Sequence, residues 1–245
     1  PVLFWALFIY SVNGFATAGT PLAYRDVVPQ WMFYVVFLPA VGFALLTAGL
    51  GARRAWAAWG EGGKRNGSLL SGLAGVGMDI LAHRRFGSCS AAKPRQTGHL
   101  LLFWGFVGAT VTTGLLGAGI DFFGMKTPLP MLHPIKLLGN LSAVLLVLGV
   151  SSLILNRLSG EASAGATRAF DLFFLSLVAL LIASGVGAEL GRLFLPAPVA
   201  LAIYVVHLGM ILALFLTFPF SKFAHALYRT LAMAHERLVT QRRLP

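Results

Sequence analysis

The sequence predicts an all-α integral membrane bundle with five or six spanning helices. Three observations predict it. Hydrophobic residues fill 57% of the 245 positions, and the mean hydropathy is +0.80. Charged residues make up only 11%, against about 25% in an ordinary soluble domain. The apolar residues also fall in long runs, several close to the roughly 20 residues that a helix needs to cross a bilayer's hydrocarbon core. No hydrophilic stretch is long enough for a second folded domain. Residues 1–245 therefore read as one membrane domain, with a basic segment over 52–96 and a surface helix over 226–245.

Taken in order, residues 2–18 are apolar but barely long enough to cross. They read as a first spanning helix, with an interfacial or re-entrant segment as the alternative. Residues 21–30 form a loop containing Arg25 and Asp26. Residues 31–51 span, anchored by Trp31 and stopped by Arg53 and Arg54. Residues 69–86, rich in glycine and ending in basic residues, predict a short helix lying on the surface. Residues 99–120 span next, and Pro128 and Pro130 mark the loop after them. His133 stands before Pro134, a favoured first-turn residue, and so begins a helix running to about residue 155. A polar connection leads to a span over 170–190, with Glu189 and Arg192 at its end. After Pro196 the final apolar run, 198–225, reads as one helix, and the tail carries Arg229, His235, Arg237, Arg242 and Arg243.

The basic residues give an orientation. Of the nineteen lysines and arginines, all but Arg25, Lys126, Lys136 and Arg192 fall on the side of the loop after residue 51. The bias places that side in the cytoplasm. A bacterial inner membrane is the expected location, with both termini inside if there are six spans. The formal charge of +11 is then a matter of topology, and nucleic acid is not an expected partner. The single cysteine, Cys89, leaves no internal disulfide framework and no Cys-ligated cluster made by this chain alone.

Two histidines sit in the last apolar run, where an ionisable group is costly and by default marks a functional site. His207 and His225 are eighteen residues apart. On one helix that is five turns, placing both on one face roughly 27 Å apart, about the thickness of the hydrocarbon core. Depth pairs His225 with His99 near the cytoplasmic side and His207 with His133 near the other. Neutral imidazoles on facing helices are good axial ligands for haem iron, so two bis-histidine b haems are expected. Lys136, one turn after His133, is placed to hydrogen-bond a quinone oxygen, or else to snorkel to the interface. The competing account is that each histidine only hydrogen-bonds a neighbouring helix. His83 and His235 lie among arginines and read as surface residues.

At HLGM and FPFSKFAH the chain resembles the dihaem cytochrome b proteins of the respiratory nitrate reductase gamma superfamily. It is most similar there to the membrane-embedded member of the quinone-interacting membrane-bound oxidoreductase (Qmo) and to heterodisulfide-reductase-associated membrane subunits. HRRFGSC (83–89), GHLLLFWGFVG (98–108), HPIKLLGN (133–140) and FPFSKFAHALYRTLAMAHE (218–236) also carry the likeness. The resemblance implies a quinone-reactive electron-transfer subunit of an oxidoreductase, exchanging electrons between menaquinone or ubiquinone and cytoplasmic iron–sulfur and flavin subunits. It carries haem ligation onto His99, His207 and His225. One departure is Ala109, where the nitrate reductase gamma protein has its fourth histidine; His133 is expected to substitute. Another is the lack of the Cys-rich ferredoxin-like motifs that often precede this region, which would then belong to a separate polypeptide. The alternatives from other classes are a haem-free membrane anchor or docking subunit and a proton-coupled transporter.

Overall fold

The structure is a computed structural model, and it describes residues 1–13, 22–60, 67–81, 93–159 and 169–240. The described residues are helical with no strand. Among them nine α-helices succeed one another: α1 (Val2–Asn13), α2 (Tyr24–Val27), α3 (Gln30–Gly60), α4 (Leu69–Leu81), α5 (Lys93–Phe123), α6 (Pro134–Leu158), α7 (Ala169–Phe194), α8 (Ala197–Thr217) and α9 (Ala224–Thr240). Among the described residues five stretches are long and apolar enough to cross a membrane; four lie on α3, α5, α6 and α7, and the fifth, Ala197–Val239, begins with α8 and runs on into α9. The chain is a multi-pass membrane protein. His83 and Cys89 lie outside the described residues.

Of the first segment, expected over residues 2–18, residues 2–13 are described; they form α1, 12 residues long, which covers about 18 Å. Its first turn rests on α8. A Cβ at Gly209 would stand 2.8 Å from the Cα of Val2, so only a glycine admits the contact.

Two compact units are built from these helices. The first, residues 1–33 and 91–212, holds α1, α2, α5, α6, α7 and most of α8. Its most extensive contact is between α5 and α6. Lipid gives helices no hydrophobic drive to associate, so close approach depends on small residues. At Gly149 of α6 an added Cβ would meet the backbone nitrogen of Leu102 at 2.7 Å and the carbonyl oxygen of Gly98 at 2.9 Å. At Gly105 of α5 it would meet the Leu146 backbone nitrogen at 3.0 Å. These glycines form the seam.

The second unit, residues 34–90 and 213–245, holds α3 beyond Phe33, the end of α8, α4 and α9. Here Val76, Met233 and Ala234 are buried together, with Trp56, Leu73 and Ile80 packed against them. Gly72 lets α4 meet α9 closely: its Cβ would lie 3.0 Å from the Ala234 carbonyl oxygen. Ser68 begins α4, its hydroxyl accepting from the Ser71 amide at 3.3 Å.

The last apolar run is not one helix. The helix α8 ends at Thr217, a 3-10 turn covers Phe218–Phe220, and Ser221 is extended (φ −102°, ψ 177°) before α9 begins. Pro219 has no amide to donate back into the helix. The Ser221 hydroxyl then accepts from the Phe223 amide at 3.2 Å, and its carbonyl from the Ala224 amide at 3.1 Å, which starts α9. His207 and His225 therefore stand on different helices, and the shared face expected from their spacing does not exist.

Candidate functional site

A cluster of charged side chains from the apolar spans of the first unit lies where α6 begins and α7 ends. His133 is the N-cap of α6, and its Nδ1 accepts from the Ile135 amide at 3.3 Å. One turn on, Lys136 reaches across to α7. Its Nζ lies 2.5 Å from Glu189 Oε1. Arg192, three residues after Glu189, holds the same carboxylate with both arms of its guanidinium: Nε to Oε2 at 3.0 Å and Nη2 to Oε1 at 2.7 Å. The three side chains are largely enclosed, at 16% exposure for Lys136, 9% for Arg192 and 31% for Glu189. One carboxylate between two cations leaves the group with a net positive charge.

Beside it Tyr24 of α2 points its hydroxyl at two carbonyls, Ala188 O of α7 at 2.5 Å and Ala200 O of α8 at 3.2 Å. Its ring stacks on that of Tyr204 of α8, with centroids 4.0 Å apart and planes 11° from parallel. Burial, and then the Glu189 carboxylate, push the Tyr24 phenol up to about 12, with Arg192 acting the other way. The phenol is therefore a neutral donor at any physiological pH.

His207 lies deeper. Its Nδ1 is 3.2 Å from the Leu181 carbonyl oxygen and 3.2 Å from Ser184 Oγ, while that hydroxyl donates to the same carbonyl at 3.0 Å. The imidazole packs on Gly185, where a Cβ would meet Cε1 at 2.8 Å. Ser184 precedes Glu189 by five residues, so this second layer is about 7–8 Å further along α7. The arrangement can hold helices together, keep buried charge compensated, and present an imidazole to a proton. Among the described residues no group of three or more His, Cys, Asp or Glu side chains is placed to hold a metal ion.

The residues expected from the sequence are divided between the two units. His133, Lys136 and His207 all belong to the first, and each is engaged by its own neighbours as above. Lys136, expected to face a quinone, faces Glu189. His99 stands on α5, half-buried, with interactions of its own. His225 is exposed at the start of α9, its Nδ1–H donating to the Lys222 carbonyl. The expected His99–His225 pair thus has one member in each unit. His235, read as a surface residue, is half-buried; it donates from Nε2 to the Trp59 carbonyl at 3.1 Å and its ring meets Trp56 edge-on. Tyr24 and Ser184 were not singled out in the sequence; Lys136 was, though for a quinone, and its pairing with Glu189 and Arg192 was not foreseen. Opposite charges at matching depth were the available signal.

The family model of citrate utilization protein B matches residues 5–245 of the chain. Citrate utilization protein B of Escherichia coli is 31% identical to it over 208 residues, covering 81% of this chain and 53% of that protein. The chain thus spans about half the length of the curated relative it matches. No solved structure matches it. These findings correct the expectations drawn from the nitrate reductase gamma and Qmo likeness. The chain is not placed in that cytochrome b superfamily, and the role of quinone-linked electron-transfer subunit of an oxidoreductase is withdrawn with it.

Proposed function

The chain belongs to the citrate utilization protein B family, and we propose that it is the membrane component of a citrate-utilization system, a docking subunit that holds a soluble partner at the bilayer. The observation that carries this reading is the use made of the intramembrane ionisable groups. Lys136, Glu189, Arg192 and His207 each engage a residue of their own or a neighbouring helix, as expected of an anchor whose polar groups hydrogen-bond between helices. The location is a bacterial cytoplasmic membrane with the basic side inward. That side carries α9 with Arg229 and Arg237, a surface of the sign that recruits an acidic partner.

A carrier is the second reading, favoured by the intramembrane His207, since such residues also serve as proton relays. Carriers of this kind build their sites from broken spanning helices, whereas α5, α6 and α7 run unbroken, as does α3 through Pro39; the last apolar run breaks only after α8, whose 21 residues cover about 31 Å.

The test uses a strain that grows on citrate, with and without the chain. The docking reading predicts that loss of the chain abolishes growth on citrate, leaves uptake of labelled citrate by washed cells intact, and releases a soluble partner from the membrane fraction. Uptake that falls with growth replaces it with the carrier reading. The visible spectrum of the purified chain is recorded alongside. A band that changes in His207→Ala makes the imidazole a ligand of a bound chromophore and ends its assignment as a helix tie.

A further inference from the structure

One face of α4 is apolar and turned outward. Leu70, Ala74, Met78 and Leu81 are spaced by four, four and three residues, which puts them on one side of a helix. Leu70 is 76% exposed, Met78 58% and Leu81 42%. The opposite side is already in use: Val76 and Gly72 are buried, and Leu73 and Ile80 join the contact with Met233 and Ala234 of α9. The exposed stripe is therefore a second apolar face.

Its level in the membrane is set by α3. That helix has 31 residues, about 46 Å, so a third of it extends beyond roughly 30 Å of hydrocarbon. Exposed Arg53 and Arg54 mark where it leaves, as basic residues do at a cytoplasmic boundary. Trp56 and Trp59, just beyond, sit where interfacial aromatics sit and grip His235 of α9. The helix α9 is thus fastened at headgroup level, and α4 is fastened to α9. The charge around the stripe has one predominant sign. The Arg237 side chain lies across α4 over Gly75, and Arg53, Arg54 and Arg229 belong to the same unit; Asp79 is the one carboxylate on α4.

We propose that the Leu70–Ala74–Met78–Leu81 face of α4 lies in the plane of an anionic lipid leaflet, with its side chains in the headgroup–acyl boundary and the arginines on the phosphates. An in-plane helix combines an apolar face with surrounding basic charge in this way, and anionic lipid attracts basic residues held within a Debye length of it. Lipid fits better than a protein partner because the stripe offers no hydrogen-bonding side chain to be recognised. The inference concerns how the second unit rests on the bilayer and stands whichever role in citrate utilization is correct.

The experiment places a nitroxide at Leu70→Cys, Ala74→Cys or Met78→Cys, each in a Cys89→Ser background, and at Ala232→Cys on the exposed side of α9 for reference. The full chain is reconstituted in vesicles of equal phosphatidylglycerol and phosphatidylcholine, and collision with oxygen is compared with collision with a water-soluble nickel chelate. Labels at 70, 74 and 78 are expected to favour oxygen by about threefold or more over the label at 232, as side chains below the headgroups do, and less so in pure phosphatidylcholine. Nickel accessibility at 70 and 78 equal to that at 232 puts the face in water and overturns the proposal. Exclusion of both reagents means that protein covers it, and overturns it equally. An oxygen preference indifferent to phosphatidylglycerol removes the anionic requirement.

Discussion

Glu189 is the residue on which the polar cluster depends. Its carboxylate is the counter-charge of both Lys136 and Arg192, and removing one partner of an enclosed ion pair leaves charge that the surroundings do not solvate. Glu189→Gln leaves two cations facing one amide. Because Glu189 itself is 31% exposed, the expected cost is about 2–3 kcal/mol, below the value for a fully buried pair. Thermal unfolding in detergent checks it, and adding Lys136→Met should recover part of the loss because the two sites are coupled. Tyr24 provides a pH dependence of known sign. Its folded pKa is raised to about 12 from 10.0, so the unfolded phenol ionises first. The stability from its hydroxyl is complete below pH 10 and is lost as pH rises towards 12. The difference in tyrosinate absorbance between wild type and Tyr24→Phe should show one phenol titrating near 12. A difference centred on 10 would put that phenol in water.

Among the elements, the α5–α6 seam and the end of α8 show what sequence periodicity captures and what it misses. The glycines of α5 were visible in the sequence, but glycine is frequent in membrane helices whether or not it packs. Only the facing backbone atoms identify Gly149 as a contact. Gly149→Ala places a methyl 2.7 Å from the Leu102 nitrogen. Backbone cannot yield as a side chain can, and the overpacking should cost about 1–3 kcal/mol, read as a lower unfolding temperature and faster amide exchange in α6. The break after Thr217 was hidden by hydropathy, since Phe218 and Phe220 continue the apolar run. Proline alone could not reveal it: α3 passes through Pro39 without stopping. Pro219 differs in its C-terminal neighbours. Ser221 and Lys222 leave the apolar run, and the Ser221 hydroxyl offers the next helix a start. The eighteen residues between His207 and His225 cross that break, so they do not set a separation along one helix.

At the scale of the molecule, spans were legible because hydropathy acts over 20 residues at a time and needs no partner. The functional family was not, because paired histidines and apolar helices are shared by unrelated membrane proteins, and FPFSKFAH forms the helix-breaking turn between α8 and α9. The two ion pairs of the α6–α7 hairpin fall between these cases. Lys136–Glu189 closes one end and Arg157–Asp171, at 3.3 Å, the other; each charge could be seen, but not its partner. With α3, α5, α6, α7 and α8 as the spans, the segments after Gly60 and after Phe123 must lie on opposite sides of the membrane. In the orientation proposed above, the first of them, on the side with the surplus of arginine and lysine, faces the cytoplasm. A fluorescent protein fused after Gly60 should fold and glow, and alkaline phosphatase fused after Lys126 should be active. Replacing Arg53 and Arg54 by glutamine should weaken this preference, since it rests on positive charge close to the span ends. Phosphatase activity at both fusion sites would mean that α5 does not cross, and the assignment of five spans would fall with it.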